Sequence, residues 1–399
     1  MNILVLNSGS SSVKYKLIDT DGEGKTLAEG GAEKLGLDDA FLKYKRKDGS
    51  KATIELGRAD HTAAIRAILN LLTDKEEGCI RSFDQIDAVG HRVVHGAEKF
   101  SKSVLINDEV KDEIRRCYDI APLHNPANMT GIEAVETIMP NVPQVAVFDT
   151  AFHQTMPAKS YLYALPYRFY KEDGVRRYGF HGTSHRYVSQ RVCEYLGVNP
   201  AEKKIITCHI GNGASIAAVN CGKCVDTTMG LTPLEGLMMG TRSGDIDAGA
   251  ATFLMDKLNL DTKGLSNLLN KQSGLAGVSG LTSDFRDILA GEKAGNNRAR
   301  LAKQMYTYRI KKYIGAYAAA MGGVDIILFT GGAGENQWEV REGATSGLEF
   351  MGVRMDADKN RACRATEAII SADGSPVTVC VIPTDEELMI ALDTQALTK

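Results

Sequence analysis

Two stretches of the chain share one pattern of apolar and polar positions. The apolar run at residues 3–6 predicts a buried strand, and the alternation at residues 13–17 predicts a second strand that reverses beside it. The connecting residues 7–12, NSGSSS, are small and polar. Residues 205–219, IITCHIGNGASIAAV, repeat the order of strand, small glycine-containing turn and strand. This repetition predicts two related domains.

Both predicted turns are suited to bind phosphate. Gly9 in the first turn and Gly211 and Gly213 in the second leave room for the backbone to approach a ligand. Backbone amides and hydroxyls in such turns can donate to phosphate oxygens. The alternative for the first turn alone is an ordinary Ser/Gly hairpin. Because the pattern occurs twice, we expect a nucleotide between the domains to be held by both turns.

The rest of the pattern predicts strands that alternate with helices. Apolar residues at helical spacing predict helices at residues 61–72, 109–118, 127–139, 183–196 and 297–321. Short apolar runs predict strands at residues 144–148 and 325–329, and the second of these runs into a glycine-rich turn that opens a helix. This order predicts an α/β chain, and the repeated hairpin implies partly antiparallel sheets. The first domain is predicted to end near residue 150.

Composition narrows the class of partner. With 399 residues and 43% hydrophobic content, the chain can bury sizeable cores. A formal net charge of -3 gives no electrostatic reason to expect nucleic acid or an anionic membrane as the main partner, which leaves small molecules. The amino terminus lacks a basic leader, and no apolar run approaches the roughly 18 residues of a spanning helix, so we expect a cytoplasmic protein.

Four local patterns resemble known site motifs and fail on inspection. Residues 24–26, GKT, lack the first glycine of a phosphate-binding loop, because Asp19 occupies that position. Ile216 replaces the third glycine of a dinucleotide fingerprint, and Arg361 replaces the glycine that a calcium loop requires. The lone CxxC at residues 221–224 lies in a predicted hairpin without a second Cys or His pair, so it does not predict a zinc site.

Four charged or titratable residues stand in glycine-rich or strand-end contexts. Arg92 and Arg242 lack the helical spacing of a surface stripe, and arginine suits bidentate binding of phosphate or carboxylate. His181 can donate to a transferring phosphoryl oxygen, and Asp149, directly after an apolar strand, can orient a nucleophile. Each alone is more often structural, as a satisfied core histidine or a helix cap. Their occurrence together with phosphate-sized turns predicts phosphoryl transfer.

Nine blocks of the sequence resemble one family from residue 2 to the carboxyl terminus. They are LNSGSSSVKYKL, HRVVHG, APLHNP, FDTAFH, YGFHGTSH, HIGNGASI, LTPLEGLMMGTRSGDID, FTGGAGEN and IPTDEEL. In this order they resemble the acetate kinase family of short-chain carboxylate kinases, in the actin, sugar kinase and Hsp70 superfamily. The resemblance implies two duplicated actin-like, ribonuclease H-like domains, with mixed sheets flanked by helices and an interdomain active-site cleft. The domains would be 1–150, completed by a helix at about 386–399, and 151–385.

The resemblance also implies a reaction and a set of site residues. The reaction is reversible in-line transfer of the γ-phosphoryl group of ATP to acetate, giving acetyl phosphate and ADP, with magnesium or manganese as the metal. The implied catalytic residues are Asp149, Arg92, His181 and Arg242. The implied acetate pocket adds Val94, Leu123, Phe180 and Pro233 to Arg92, and the implied metal ligands are Asn7 and Glu386. The implied nucleotide contacts are Lys14, His209, Ile210, Gly211, Asn212, Gly213, Asp284, Phe285, Arg286, Gly332, Ala333, Gly334, Glu335 and Asn336.

Alternatives to this interpretation stay open. A propionate or butyrate kinase of the same family differs only in pocket size, and one methylene discriminates by only about 1–3 kcal/mol. A non-catalytic nucleotide switch would need no set of arginine and aspartate beside an apolar pocket. The sequence also departs from the usual family pattern at Ala97, where a glycine is usual, and at Asp385, where an asparagine is usual. The family resemblance further implies a homodimer.

Overall fold

The computed structural model describes residues 1–22, 24–46, 48–122 and 124–399, which form a mixed α/β fold. The strands are β1 (Asn2–Gly9), β2 (Ser12–Asp19), β3 (Lys25–Glu33), β4 (Ala40–Lys45), β5 (Lys51–Gly57), β6 (Ala88–Val93), β7 (Val104–Leu105), β8 (Gln144–Phe148), β9 (Lys204–Ile210), β10 (Ala214–Asn220), β11 (Lys223–Thr227), β12 (Ile326–Thr330), β13 (Ala368–Ile369) and β14 (Thr378–Val381). The helices are α1 (His61–Leu72), α2 (Asp108–Arg116), α3 (Asn125–Ile138), α4 (Ala158–Tyr161), α5 (Arg168–Asp173), α6 (Gly182–Leu196), α7 (Ala248–Leu258), α8 (Thr262–Lys271), α9 (Gly274–Ser279), α10 (Phe285–Lys293), α11 (Asn297–Met321), α12 (Gly331–Asn336), α13 (Trp338–Thr345), α14 (Ala357–Ala362) and α15 (Glu386–Thr398).

The chain divides into two compact units. The first unit combines Met1–Ala151 with Asp385–Lys399, and the second unit is Phe152–Thr384. Each unit contains one mixed sheet with helices packed on it. No helix in the described part of the chain is long and apolar enough to cross a lipid bilayer.

The sheet of the first unit has the strand order β5-β4-β3-β2-β1-β6-β8-β7. β1 and β2 form an antiparallel hairpin, whereas β6 pairs in parallel with both β1 and β8. The carboxyl ends of β1, β6 and β8 therefore lie at the same edge of the sheet.

The central strand β1 is buried on both faces, because helices cover both sides of the sheet. Successive side chains of a strand point to opposite faces. Leu4 and Leu6 accordingly pack in the core beneath α1 and α3, whereas Ile3 and Val5 pack in a separate cluster with Ile390 of α15. The carboxyl-terminal helix is thus part of the core of the first unit.

The sheet of the second unit has the order β11-β10-β9-β12-β14-β13. It also begins with an antiparallel hairpin, β9 and β10, and β12 pairs in parallel with both β9 and β14. The predicted α/β fold with two mixed sheets flanked by helices is confirmed.

Most predicted elements occur in the structure, with small shifts of their ends. The predicted helices at 61–72 and 297–321 are confirmed at both ends, as α1 and α11. α3 begins two residues earlier than predicted, because Pro126 is tolerated in the first helical turn, where its missing N–H loses no bond. The first predicted turn, 7–12, is shorter than expected. β1 and β2 pair up to Gly9 and Ser12, so only two residues form the turn.

We expect the contact between β6 and α15 to tolerate no added methyl group. A Cβ on Gly90 would contact Oγ1 of Thr394 and lie 2.7 Å from Cγ2 of Ile390. Gly90→Ala should therefore lower the free energy of unfolding by about 1–3 kcal/mol, the typical cost of overpacking. Urea denaturation followed by circular dichroism measures this change.

Gly315→Ala is the matched control. A Cβ on Gly315, in the middle of α11, would meet no atom within 4 Å. That variant should be neutral or more stable by up to about 1 kcal/mol, because glycine is a poor helix former. Equal stability of the two alanine variants would contradict tight docking of α15.

Candidate active site

Three of the predicted catalytic and metal-binding residues lie at one edge of the first sheet. Asn7 is on β1, Arg92 is on β6, and Asp149 directly follows β8. Because these three strands are parallel neighbours, residues far apart in sequence come together at their carboxyl ends. This edge is where ligands bind in open α/β sheets.

Asp149 and Arg92 form a bidentate ion pair. Asp149 is 1% exposed, and its Oδ1 and Oδ2 accept hydrogen bonds from Nε and Nη2 of Arg92 at 2.9 and 2.6 Å. Nη1 of Arg92 lies 3.5 Å from Oδ1 of Asn7. Burial alone would lower the pKa of Arg92, but Asp149 first, and then carboxylates of α15, raise it above its ordinary value. Arg92 is therefore a fixed cation with one nitrogen directed toward Asn7.

Glu386, a predicted metal ligand, is the first residue of α15. Its side chain is half-buried, and burial raises its pKa to about 7. Arg92 opposes this rise, whereas the negative charges of Asp149 and Glu387 add to it. Glu386 is thus a carboxylate that a bound cation would stabilise.

Two lysines lie on β2 beside this edge. Lys14 is exposed, is the direct register partner of Asn7 and is among the charges that act on Glu386. Nζ of Lys16 lies 3.4 Å from Oδ1 of Asp385 and so pairs with the residue that precedes α15. Lys14 is therefore the better placed of the two to meet an anionic ligand.

Val94, predicted to line the acetate pocket, is 6% exposed and follows β6 directly. Its N–H donates to Oδ1 of Asn128 at 3.0 Å, and Nδ2 of Asn128 donates to the carbonyl of Ser8 at 2.7 Å. Asn125 holds the next residue in the same way, because its side chain bonds both the N–H and the carbonyl of His95. α3 thereby joins the carboxyl ends of β1 and β6.

Sequence reasoning missed these two asparagines. Both are buried, at 0% and 2% exposure, on a helix whose other buried residues are mostly apolar. The signal in the sequence is the pair of asparagines three residues apart at the start of a predicted helix, Asn125 and Asn128. Leu123, the other pocket residue predicted nearby, lies outside the described residues.

In the second unit, two glycine-rich turns meet at the carboxyl ends of β9 and β12. Residues 211–213 connect β9 to β10, and α12 begins directly after β12. A Cβ on Gly211 would lie 3.9 Å from the backbone nitrogen of Gly332, so the turns are in contact. Gly331 has a φ of 76°, and a Cβ there would lie 3.0 Å from the carbonyl oxygen of Ile210, which only glycine avoids.

A cavity of about 630 Å³ opens beside these turns, which is within the usual range for a small-molecule site. Eight of the predicted nucleotide contacts line it: Gly211, Asn212, Asp284, Phe285, Arg286, Gly332, Ala333 and Asn336. Sequence reasoning missed five further lining residues: Leu275, Ser283, Tyr306, Gln337 and Arg364. These five come from separate loops and helices, so no local pattern in the sequence connects them.

The other predicted nucleotide contacts of this unit support the turns from behind. Ile210 is 0% exposed and belongs to the core. Oε1 of Glu335 accepts hydrogen bonds from the N–H groups of Gly331 and Thr384 at 2.8 and 3.2 Å, so Glu335 holds the start of α12 in place. His209 accepts or donates a 2.8 Å hydrogen bond with Oγ of Ser184. Gly334 is buried in α12.

His181 and Arg242 approach the first glycine turn from two different segments. A Cβ on Gly213 would lie 3.5 Å from Nε2 of His181 and 3.6 Å from Nη1 of Arg242. Nδ1 of His181 is 2.9 Å from Oγ of Ser215, and Nη1 of Arg242 donates to the carbonyl of Pro233 at 3.0 Å. Burial lowers the pKa of Arg242, and no described carboxylate offsets that effect. A half-buried arginine without an internal counter-charge is suited to bind an anion.

Two further pocket residues belong to this unit. Phe180 is 2% exposed, and its carbonyl accepts a hydrogen bond from Nε2 of His153 at 2.9 Å. Pro233 is half-buried on the loop between β11 and α7. An ion pair between Arg177 and Glu235, with 2.5 Å between Nη2 and Oε1, anchors that loop, and sequence reasoning missed both residues.

A sequence model of the Acetokinase family matches residues 2–392 of the chain. The chain belongs to the Acetokinase family. The acetate kinase of Phocaeicola vulgatus is 65% identical over 397 residues, which cover 100% of this chain and 99% of that relative. The acetate kinase of Bacteroides thetaiotaomicron is 63% identical, with 100% of both chains covered.

Solved structures of acetokinases match the fold over its full length. The crystal structure of acetate kinase from Porphyromonas gingivalis has a TM-score of 0.96 and 56% sequence identity, with 100% of both chains covered. A propionate kinase from Francisella tularensis has a TM-score of 0.93 and 41% identity, with 99% of both chains covered.

The structure accounts for the consequences of two departures from the usual acetokinase pattern. Ala97 has a φ of 49°, in the left-handed region, which explains why glycine is usual there and makes alanine strained. Asp385 caps α15, because its Oδ1 accepts a hydrogen bond from the N–H of Leu388 at 3.0 Å. The added charge of Asp385 is also paired with Lys16, so it is partly neutralised beside Glu386.

We expect Asn128→Leu to destabilise the chain although the two side chains have similar volumes. The change leaves the buried N–H of Val94 and the carbonyl of Ser8 without their partner, at a cost of roughly 1–3 kcal/mol for each group. Urea denaturation measures the loss. Asn70→Leu, at an exposed position of α1, is the matched control and should change stability by less than about 0.5 kcal/mol. Equal effects of the two changes would rule out the bridging role of Asn128.

Proposed function

We propose that this chain is an ATP-dependent acetate kinase. The acceptor is the carboxyl group of acetate, and the products are acetyl phosphate and ADP. The observation that carries the proposal is full-length membership of the Acetokinase family, with 55–65% identity to proteins named acetate kinase. The paired Arg92 and Asp149 at a strand edge and the unpaired Arg242 beside a glycine turn agree with phosphoryl transfer.

In the first unit, Arg92 is assigned to bind the carboxylate or phosphoryl group. Its bidentate pair with Asp149 holds the guanidinium in one orientation, which leaves Nη1 to face a ligand. Asp149 acts as an acid/base or as an orienting carboxylate, and its near-complete burial favours the orienting role. Positioning of this kind supplies much of the acceleration in phosphoryl transfer.

In the second unit, His181 and Arg242 are assigned to the charge on the transferring phosphoryl group. Both side chains face the turn at Gly213, so one anionic group could contact both. Arg242 supplies a permanent cation whose burial strengthens its interaction with an anion. No covalent intermediate on the protein is required.

The residues of the first unit fit a magnesium ion. Asn7 and Glu386 offer oxygen ligands, which hard cations prefer, and burial of the Glu386 carboxylate is a cost that a cation offsets. No group of three or more His, Cys, Asp or Glu side chains is arranged for a metal in the described residues, so the protein would supply few ligands. This agrees with magnesium, which is commonly held by one or two carboxylates and substrate phosphates. When bound, the ion neutralises phosphate charge.

ATP is assigned to the cavity beside the two glycine turns. The cavity offers backbone N–H groups at Gly211 and Gly332 for phosphates and the apolar surfaces of Phe285 and Tyr306 for a base. Lys14, exposed on β2 of the first unit, is assigned to the nucleotide phosphates.

Acetate is favoured over longer acids by the relatives and by Val94. The proteins with 55–65% identity are named acetate kinases, whereas the solved propionate kinase is 41% identical. Propionate stays a second candidate, because the propionate kinase has a TM-score of 0.93 and one methylene is worth only about 1–3 kcal/mol. We further propose that the protein is a cytoplasmic homodimer, as the family resemblance implies.

Hydroxylamine trapping of acyl phosphate tests the proposed function. The chain is incubated with Mg-ATP and acetate, propionate or butyrate at matched concentrations. Acetate should give the highest kcat/KM. A preference for a longer acid would keep the mechanism and change the substrate, and absence of acyl hydroxamate with every acid would overturn the proposal.

Arg242→Ala should lower kcat by about 100-fold or more, because a lost transition-state cation has an effect of this order. Steady-state kinetics with acetate and Mg-ATP measure the change. Arg300→Ala, at an exposed position of α11, is the matched control and should leave kcat unchanged. Near-normal turnover of Arg242→Ala would remove Arg242 from the mechanism and would agree with a nucleotide switch.

Gly332→Leu should block nucleotide binding without unfolding the chain. Gly332 lines the cavity, and a Cβ there meets no atom within 4 Å, so the new side chain extends into open space. We expect the Kd for ATP, measured by calorimetry, to rise at least about tenfold, which corresponds to roughly 1.4 kcal/mol. Gly315→Leu, on α11 outside the cavity, should bind ATP normally. Unchanged affinity in Gly332→Leu would place the nucleotide elsewhere.

A further inference from the structure

The contact between α6 and the β9–β10 hairpin is apolar along one half of the helix and polar along the other. In the carboxyl-terminal half, Val188 and Val192 pack with Ile205 and Val219. In the amino-terminal half, the first turns of the helix present histidine and serine side chains to the hairpin. A buried polar contact stabilises less than an apolar one unless every group is paired, so this half is a candidate for a functional role.

The hairpin meets these side chains with polar residues on one face. Thr207 is the register partner of Ala217, and His209 is the register partner of Ser215. Because register partners, and residues two apart on one strand, share a face, all four side chains face the same side of the sheet. Thr207, Ser215 and Ala217 are completely buried.

A continuous chain of hydrogen bonds runs through this contact. Nδ1 of His181 is 2.9 Å from Oγ of Ser215, and the same oxygen is 2.7 Å from Nε2 of His185. Nδ1 of His185 is 2.6 Å from Oγ1 of Thr207, which lies 3.4 Å from the carbonyl oxygen of Ala217. The three intervening side chains, which we call the relay, are Ser215, His185 and Thr207.

The last group of the chain sets the direction of its protons. The carbonyl of Ala217 can only accept, so Thr207 donates to it and accepts from Nδ1–H of His185. Burial lowers the pKa of His185 well below its usual value, so its ring is neutral and its Nε2 accepts the hydroxyl proton of Ser215. Oγ of Ser215 is then left to accept from Nδ1–H of His181.

We propose that the relay holds the proton of neutral His181 on Nδ1, so that Nε2 becomes a donor only when the ring is protonated. Nε2 is the nitrogen that faces Gly213 beside Arg242, whereas Nδ1 faces the buried relay. This inference rests on the proposed function, in which His181 contacts the transferring phosphoryl group. It makes the relay a set of positioning residues that decide when His181 can stabilise that group.

The groups around His181 favour protonation only when an anion is bound. The ring of His209 stacks on it with 4.3 Å between centroids, and Arg242 faces the same turn. Behind it are two further imidazoles, His185 and His153, whose rings are 5.7 Å apart. Because Arg242 disfavours a second positive charge nearby, a bound phosphoryl group would be what stabilises the imidazolium.

Nitrogen-15 NMR of the eight histidines tests the proton position directly. In the unmodified chain at high pH, neutral His181 should carry its proton on Nδ1. In Thr207→Val the end of the relay is removed, so His185 has no acceptor for Nδ1–H, the chain of protons reverses, and neutral His181 should carry its proton on Nε2. An Nε2–H tautomer in the unmodified chain, or no change in Thr207→Val, would overturn the proposal.

Kinetics test the consequence for turnover. In the unmodified chain, kcat should fall as the pH rises and His181 loses its second proton, by up to about tenfold per pH unit, and this fall should be smaller in Thr207→Val. Ser215→Ala should lower kcat roughly 10- to 100-fold with little change in KM, and this loss should vanish when His181 is already alanine. Thr227→Val, which removes another buried hydroxyl bond of this sheet, should not alter the pH profile.

A loss in Ser215→Ala that persists without His181 would show that Ser215 supports the fold instead, and would also overturn the proposal. The NMR result needs no turnover, so failure of the relay is distinguishable from failure of the proposed function. In the latter case, no acyl hydroxamate would form even in the unmodified chain.

Discussion

The organisation of the first unit depends on the buried ion pair between Arg92 and Asp149. A carboxylate that is 1% exposed is costly without a partner, and removal of either member would leave a charge uncompensated. The pair is possible because β6 and β8 are in parallel register, with Val93 opposite Phe148, so the residues at their carboxyl ends are adjacent. Its presence also sets the field at Glu386, whose pKa is raised by burial and only partly lowered by Arg92.

The second unit solves a different electrostatic problem. Arg242 is half-buried without a carboxylate partner among the described residues, and its pKa is lowered by burial alone. Its guanidinium is held by the carbonyl of Pro233 on a loop that the ion pair of Arg177 and Glu235 anchors. The cation is thus positioned by neutral and distant groups, which leaves its charge available to a ligand. Satisfying Arg242 internally would stabilise the fold and weaken that availability.

Close backbone approach is the second constraint on both units. Gly90 allows α15 to lie against β6, and Gly331 allows α12 to start against Ile210. The first contact fixes the helix that begins with Glu386, and the second fixes a wall of the cavity. Ala97 shows the same constraint from the opposite side, because a left-handed φ is retained there at the expense of strain.

The sequence by itself determined the α/β class, most helices, the duplicated hairpin and the residue types that phosphoryl transfer needs, because these follow from periodicity and from motifs that are local in the chain. It indicated Arg92, Asp149 and the turn at 211–213 through their strand-end contexts, and family resemblance added Asn7 and Glu386. Only the tertiary structure revealed the bridging role of Asn128, the cavity wall at Tyr306 and the relay behind His181. These depend on which strands are parallel neighbours and which helix face meets which sheet face. Such long-range pairings leave no periodic trace in the sequence, because a buried asparagine or serine reads locally as a turn or cap residue until its partner is known.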